Sequence, residues 1–254
     1  MDINRIMNIA ACAGKIILES GGEIYRVEET IVRICSAYNI NNAQPFATPT
    51  VIIVSASNEY GQTTSLVMRI KRRSLNLEKI SKVNDISRNV KSKGFTLELI
   101  ENELSKIDSQ KAYSTRINIL CAATTTGFFA LVFGGNLRDF AVSFFIGCLI
   151  KLLSIFLDLV ETNDFFINTI CGALAALIAL LSVHLNIGSH ADKIIIGSIM
   201  LLVPGLAITN AIRDTIAGEL ISGITRCMEA FLVAVAIALG TGVAMKLWFL
   251  LGGT

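Results

Sequence analysis

The chain has 254 residues, a formal net charge of +2 at pH 7 and 53% hydrophobic residues. Its mean hydropathy of +0.62 is too high for an ordinary soluble domain and indicates membrane-spanning segments. The Lys and Arg residues are matched by nearby acidic residues, which argues against nucleic acid as a partner.

Charged residues are concentrated in the first half of the chain. Residues 1–116 carry 16 basic and 12 acidic side chains, whereas residues 117–254 carry 6 and 8. In the first half, apolar residues recur at steps of three and four over four stretches, which predicts four amphipathic helices. Two β-branched runs, TVIIVSAS and TTSLVMRIKR, predict a β-hairpin across NEYGQ. We therefore predict a cytoplasmic α+β domain over residues 1–112.

The first two predicted helices are separated by the stretch ESGGEIYRVEET, in which Gly21-Gly22 ends one helix and begins the next. The second helix carries two acid–base pairs at helical spacing, Glu23 with Arg26 and Glu29 with Arg33. These pairs indicate either a salt-bridged solvent face or a contact with a partner or the membrane domain.

The second half of the chain contains runs of spanning length with few charges, and about 20 residues cross a bilayer. We predict five spans near residues 117–135, 139–158, 165–187, 194–213 and 229–251, within a transmembrane domain of residues 113–254. Basic residues ahead of the first span indicate a cytoplasmic N-terminus, and five spans would place the C-terminus outside. The predicted fold is thus a mainly α membrane protein, with about five transmembrane helices preceded by a cytoplasmic α+β domain containing a β-hairpin.

The fourth predicted span is interrupted at Pro204-Gly205. Pro204 has no N–H, so the carbonyl of Met200 loses its helical partner. Inside a membrane, such a break is tolerated only where it faces protein or a water-filled cavity. The half-helix beyond it presents free N–H groups, and secondary transporters bind anionic groups at broken helices in this way.

A ladder of polar residues follows this break. Thr209 and Arg213 lie four residues apart on one helical stripe, and Asn210 and Asp214 lie four apart on the neighbouring stripe. A second polar stripe continues through Glu219, Ser222, Arg226 and Glu229. We predict that the break and the ladder bind a small zwitterion or acid, through Pro204, Gly205, Thr209, Asn210, Arg213, Asp214, Glu219, Ser222 and Arg226. The residues also allow an alternative, in which Arg213 and Arg226 anchor a cytoplasmic turn and Asp214 only pairs with them.

Motifs for catalysis, nucleotides and metals are absent from the sequence. It contains no GxGxxG, HExxH or GxSxG pattern, and its six cysteines show no CxxC pairing. We therefore predict that the protein is not an enzyme and requires no cofactor or metal.

Four segments resemble the threonine/serine exporter family: SGGEIYRVEETI, FATPT, LVFGG and LVPGLAITNAIRDTIAGELISGITR. They follow the family's order over nearly the whole chain, and the chain is most similar to the large subunit of the family's split, two-protein form. The resemblance implies export of small amino acids driven by the proton motive force. Other split members are tied to dicarboxylate export, so threonine, serine and a dicarboxylate such as succinate all stay open as substrates. Because fused members continue with a second set of spans, the resemblance also implies a small membrane subunit as partner.

We interpret the chain as a subunit of an exporter of small molecules in the bacterial inner membrane, embedded in the lipid bilayer. An oligomer is expected, because the small-residue stretches GALAALIAL and ALGTGVA favour close helix contacts and a two-stranded hairpin is marginal alone. The alternative is a non-transporting membrane scaffold or receptor whose cytoplasmic domain binds a partner.

Overall fold

The computed structural model describes residues 3–57, 62–110 and 113–252. Within these ranges the chain forms ten helices and three strands, and it divides into two compact units. The first unit comprises Met1–Lys111 with Leu206–Met228, and the second comprises Ala112–Gly205 with Glu229–Thr254. In chain order the elements are α1 (Ile3–Glu19), α2 (Ile24–Ala37), β1 (Gln44–Thr48), β2 (Val51–Ser57), β3 (Thr63–Arg69), α3 (Leu77–Lys93), α4 (Leu97–Asp108), α5 (Thr115–Val132), α6 (Leu137–Leu159), α7 (Asp164–His184), α8 (Ala191–Ile199), α9 (Gly205–Ile216) and α10 (Leu220–Leu250).

Helix α1 forms the centre of the first unit. Ten of its 17 residues are buried, so it is covered on more than one face, and it packs against α2, α3, α4 and the sheet. Polar side chains cap the N-termini of two of the helices around it. Asn76 caps α3 by accepting a hydrogen bond from the Lys79 N–H, and Thr96 caps α4 in the same way. The four predicted helices of this half are confirmed.

The predicted β-hairpin is confirmed, because β2 and β3 pair antiparallel from Val51 opposite Arg69 to Ser57 opposite Thr63. Residues 58–61 of the predicted turn lie outside the described residues. The structure adds a third strand, β1, which pairs with the other side of β2. Its Pro45 cannot donate to a ladder, which is tolerated at the edge of a sheet and obscures the strand in the sequence.

Four of the helices in the described ranges, α5, α6, α7 and α10, are long and apolar enough to cross a membrane. The predicted span at 194–213 is instead divided between α8, with 9 residues, and α9, with 12. Helix α8 ends at Ile199, the Leu202 N–H bonds to the Ile199 carbonyl at 2.9 Å, and α9 begins at Gly205. The predicted helix break at Pro204 is therefore present. Helix α10 is longer than the predicted span at 229–251, because it begins at Leu220.

Small residues bring the helices of the second unit into close contact. A Cβ on Gly240 of α10 would lie 2.0 Å from the Thr169 carbonyl oxygen of α7, and a Cβ on Gly172 would lie 3.1 Å from the Ile237 carbonyl oxygen. These glycines come from the two small-residue stretches of the sequence, and they let α7 and α10 approach backbone to backbone.

A buried carboxylate joins two connections of the second unit. Asp139, in the first turn of α6, accepts hydrogen bonds from the backbone N–H groups of Asn136 at 3.0 Å and Ser189 at 2.7 Å. His190 contributes both its backbone N–H, at 3.1 Å, and its ring Nδ1, 2.8 Å from the second carboxylate oxygen. Asp139 thus ties the α5–α6 connection to the α7–α8 connection.

The contact at Gly240 predicts a difference between two neighbouring glycines of α10. Gly240→Ala should lower the free energy of unfolding by about 1–3 kcal/mol, because its methyl group has no room beside Thr169. Gly242→Ala is the matched control, since no atom lies within 4 Å of its Cβ position and Ala is the better helix former. Thermal unfolding in a mild detergent measures both; equal behaviour of the two variants would contradict the α7–α10 contact.

Candidate functional site

Two glycines make the turn between α1 and α2. Gly21 has a φ of +83°, in the left-handed region that favours glycine. Gly22 lies so close to α1 that a Cβ would be 2.4 Å from Ile17 Cγ2. The turn presents the carbonyls of Gly21 and Gly22 and the first N–H of α2, that of Ile24, to the polar residues of α9 and α10.

The polar face of α9 packs on this turn. Asn210 Nδ2 donates to the Gly21 carbonyl at 2.8 Å, and Asp214 Oδ1 accepts from the Ile24 N–H at 3.1 Å. Asp214 therefore caps the N-terminus of α2, where the helix dipole favours a negative charge. The stripe of Asn210 and Asp214 predicted from the sequence is a real face of α9, and its partners are backbone groups.

Arg226, in the first turns of α10, completes this buried part of the site. Its Nη2 donates to the Gly22 carbonyl at 2.7 Å. Its Nε lies 3.1 Å from Asp214 Oδ2, and the two side chains are 5% and 0% exposed. Asp214 lies outside the four long apolar helices. Burial raises the pKa of Asp214 above its usual value, although Arg226 and the Ile24 N–H oppose this shift.

Glu23 occupies the outer edge of the same turn. Its carboxylate accepts from Arg213 Nη1 at 2.7 Å and from Arg26 Nε at 2.8 Å. Burial of Glu23 disfavours its charge, but hydrogen bonds from Arg26, from its own backbone and from Arg213 outweigh this effect. They lower the pKa of Glu23 to about 2, so the carboxylate is ionised throughout the physiological range.

Helices α9 and α10 form a tight pair that carries these residues. Gly218, with a φ of +95°, reverses the chain between them, and the Glu219 N–H bonds to the Asp214 carbonyl at 2.8 Å. A Cβ on Gly223 would lie 2.1 Å from Thr215 Oγ1, so the two helices approach closely. The second polar stripe of the sequence therefore belongs to α10 rather than to a continued α9.

The structure brings some predicted site residues together and not others. Asn210, Arg213, Asp214 and Arg226 all bind the α1–α2 turn. The other predicted residues are placed as follows. Ser222 is buried in α10, Glu219 is half-buried before it, and Thr209 is exposed on α9. Pro204 precedes α9, and Gly205, the first residue of α9, falls in the second unit. Arg226 pairs with Asp214, as the alternative interpretation of the ladder expects, whereas Arg213 pairs with Glu23 instead. A substrate role for these residues stays a prediction.

The sequence did not indicate that Glu23, Arg26, Gly21 and Gly22 belong to the same site as the ladder. The predicted ion pairs Glu23–Arg26 and Glu29–Arg33 are both confirmed. Nothing in the sequence relates Glu23 to Arg213, because the two residues are 190 positions apart.

Three guanidinium groups, of Arg26, Arg213 and Arg226, and two carboxylates, of Glu23 and Asp214, meet in this cluster. The side chain of Arg213 is 56% exposed, and guanidinium groups bind carboxylates through paired hydrogen bonds, so its exposed donors can accept a further anion. Among the described residues, no group of three or more His, Cys, Asp or Glu side chains is placed to hold a metal.

Four apolar helices of this length make the chain a polytopic membrane protein, and its first unit is an α+β body with the charged cluster at one turn. The family described as "Putative threonine/serine exporter" matches residues 8–248, and the chain belongs to that family. It is accordingly a membrane protein of an exporter family and not an enzyme.

The chain is similar to three relatives. It is 24% identical to the "Threonine/serine exporter" of Corynebacterium glutamicum over 95% of this chain and 51% of the relative. It is 20% identical to the "Probable threonine/serine exporter" of Mycobacterium tuberculosis, over 95% of this chain and 46% of the relative. The chain thus spans about half the length of these two relatives. It is 23% identical to the "Probable succinate transporter subunit YjjP" of Klebsiella aerogenes, over 93% of this chain and 91% of the relative. No solved structure matches the chain.

The buried ion pair predicts a large effect of removing one partner. Asp214→Ala should lower the free energy of unfolding by about 3–5 kcal/mol, because it removes both the carboxylate that pairs with the buried Arg226 guanidinium and the cap of α2. Glu219→Ala, a half-buried acid in the adjacent turn, is the control and should change it by about 0.5 kcal/mol or less. Thermal unfolding of the purified full chain compares them, and equal losses would argue against the ion pair.

Proposed function

We propose that the chain is a subunit of a secondary exporter that moves small amino acids, threonine or serine, or small carboxylates, driven by the proton motive force. The family and the names of its relatives, a threonine/serine exporter and a succinate transporter subunit, support this proposal. The observation that carries it is the exposed guanidinium group of Arg213, because every one of these substrates presents a carboxylate.

The proposed substrate path runs along the break and the polar ladder, through Pro204, Gly205, Thr209, Asn210, Arg213, Asp214, Glu219, Ser222 and Arg226. Thr209 and Arg213 are its exposed polar members and are the ones proposed to contact the substrate. Asn210, Asp214 and Arg226 are buried, and their proposed part is to hold the α1–α2 turn and so position Arg213 beside Glu23.

The proposed setting is the bacterial inner membrane, with the N-terminus in the cytoplasm, since basic residues precede α5. A small membrane subunit and an oligomeric assembly are proposed as partners. The name of the Klebsiella aerogenes relative, which this chain covers almost completely, supports the subunit role.

Asp214 is the proposed proton carrier. Two carboxylates share the cluster, and their surroundings shift their pKa values in opposite directions: that of Glu23 is lowered to about 2, while that of Asp214 is raised. A pair of acids separated in this way can keep one group ionised while the other exchanges a proton. Protonation of Asp214 would weaken both its ion pair with Arg226 and its hydrogen bond from the Ile24 N–H. The protonation state of Asp214 would therefore affect the stability of the α1–α2 turn.

The first functional prediction concerns the substrate and the role of Arg213. In vesicles that contain the chain with a small membrane subunit of its family, labelled threonine, serine or succinate should exchange across the membrane. Arg213→Lys should slow this exchange by roughly 10-fold or more, because a lysine keeps the charge but cannot form the bidentate contact with a carboxylate. Arg33→Lys, on an exposed ion pair of α2, is the matched control.

Absence of exchange for all three substrates would contradict the transport proposal and favour the scaffold or receptor alternative. Full exchange by Arg213→Lys would remove Arg213 from the substrate path while leaving transport itself in place.

The second functional prediction concerns proton coupling. Asp214→Asn should abolish most of the stimulation of export by an imposed pH gradient, while energy-independent exchange is retained, because the amide cannot release a proton. Export and exchange are measured in the same vesicles, at expression matched to wild type. An unchanged response to the pH gradient would exclude Asp214 as the proton carrier.

A further inference from the structure

The side chain of Glu23 makes contacts that do not cap α2. It is the N-cap residue of α2, yet its side chain forms no capping hydrogen bond, and Asp214 serves the first N–H of the helix instead. The Glu23 carboxylate is directed to two arginines. Arg26 approaches it with both Nε, at 2.8 Å, and Nη2, at 3.5 Å, and Arg213 approaches with Nη1 at 2.7 Å.

The two arginines are open to solution, whereas Glu23 lies beneath them. The side chain of Arg213 is 56% exposed and that of Arg26 is 26% exposed, against 8% for Glu23. Within the described part of the chain, Arg213 makes one hydrogen bond, the one to Glu23, although a guanidinium has five N–H donors. Donors therefore remain on the exposed side of the pair.

The side chain of Tyr25 also holds Arg26 in position. Its Nη2 lies 3.2 Å from the Tyr25 hydroxyl, and its guanidinium lies 5.6 Å from the centre of the Tyr25 ring. A guanidinium that an aromatic ring and a hydrogen bond already hold loses less freedom when it binds a ligand.

We propose that Arg26 and Arg213 form a carboxylate-binding site and that Glu23 is its internal ligand, displaced by the carboxylate of the transported molecule. This inference rests on the proposed function and adds two residues, Glu23 and Arg26, to the proposed substrate site. A carboxylate of a ligand has the same shape and charge as the Glu23 carboxylate, so it can take over the same donors.

Displacement, rather than protonation, is the way in which Glu23 leaves this site. With its pKa lowered to about 2, Glu23 stays ionised at any pH at which the protein works. Asp214 and Arg226 pair with each other beside the site, Asp214 interacts electrostatically with Glu23, and Glu219 interacts electrostatically with Glu28. Substrate binding should therefore depend on the carboxylate of the ligand and respond little to pH through Glu23.

Competition by an internal ligand has a measurable consequence. When a binding site is free only part of the time, the apparent dissociation constant rises in inverse proportion to that free fraction. If Glu23 fills the site about nine-tenths of the time, its removal should tighten binding about 10-fold. A purely structural ion pair predicts the reverse, since its removal would disorder the turn and weaken binding.

The test is a titration of the purified full chain, in the presence of its small membrane subunit, with threonine, serine and succinate. Binding is read as the ligand-induced rise in thermal stability, and threonine amide, which lacks the carboxylate, is the negative ligand. Glu23→Gln should bind the active ligand several-fold to about 10-fold more tightly than wild type. Glu23→Asp, whose side chain is one methylene shorter, should show a smaller gain in affinity. It replaces Glu23→Gln in the test if Glu23→Gln does not fold.

Two further variants make the result specific. Glu23→Gln combined with Arg26→Gln should lose the gain, because one guanidinium of the site is removed. Glu29→Gln, which breaks the Glu29–Arg33 pair on the same helix, should leave the affinity unchanged. Weaker or equal binding by both Glu23→Gln and Glu23→Asp would overturn the internal-ligand proposal. In that case exchange by wild-type vesicles would still support the proposed function. Tighter binding by Glu23→Gln, without any exchange by wild-type vesicles, would contradict the proposed function and leave the internal-ligand proposal in place.

Discussion

The first unit depends on a buried ion pair, Asp214–Arg226, that is bound to the backbone of one turn. Asp214 accepts the first N–H of α2, Arg226 donates to the carbonyl of Gly22, and Asn210 donates to the carbonyl of Gly21. A buried ion pair alone is weak support for a fold, because desolvation cancels most of its attraction. Here, however, each charged group also satisfies a backbone group that the turn leaves without a helical partner, so the pair and the turn stabilise one another.

This arrangement also explains the unusual composition of α9 and the first turns of α10. Asn210, Asp214 and Arg226 are buried, whereas apolar side chains are exposed at four-residue spacing beside the exposed Thr209 and Arg213: Ile208, Ile212 and Ile216 on α9, and Leu220, Ile224 and Met228 on α10. In a soluble domain the apolar face would be the buried one. The reversed pattern keeps the buried ion pair on the protein side of the helix pair and leaves an apolar surface exposed.

Much of this architecture follows from local sequence patterns, and the rest depends on contacts between distant residues. The periodicity of apolar residues located the helices of the first unit, and the missing N–H of Pro204 located the break between α8 and α9. Strand β1 was missed because Pro45 weakens the strand pattern in the sequence, although an edge strand tolerates a proline. The predicted span at 194–213 is too long because the apolar sequence continues across the break at Pro204, whereas the helical hydrogen bonds of the backbone stop there.

The candidate site shows the same division. The four-residue spacing of Asn210 and Asp214 identified a polar face, and the spacing of Glu23 and Arg26 identified an ion pair, but neither spacing indicates what the face binds. The site is formed by joining these two patterns through the two glycines of the α1–α2 turn. That joining depends on tertiary packing, and a single sequence carries no local signal for it.

Hydrogen exchange at the Ile24 amide shows whether Asp214 caps α2. The first N–H groups of a helix have no partner within the helix, so an exposed α2 terminus would exchange rapidly. The Asp214 contact predicts that the Ile24 amide is protected in the wild-type protein and loses that protection in Asp214→Ala, with the next amide, that of Tyr25, as the internal reference. Rapid exchange of the Ile24 amide in the wild-type protein, or protection that persists in Asp214→Ala, would contradict the account.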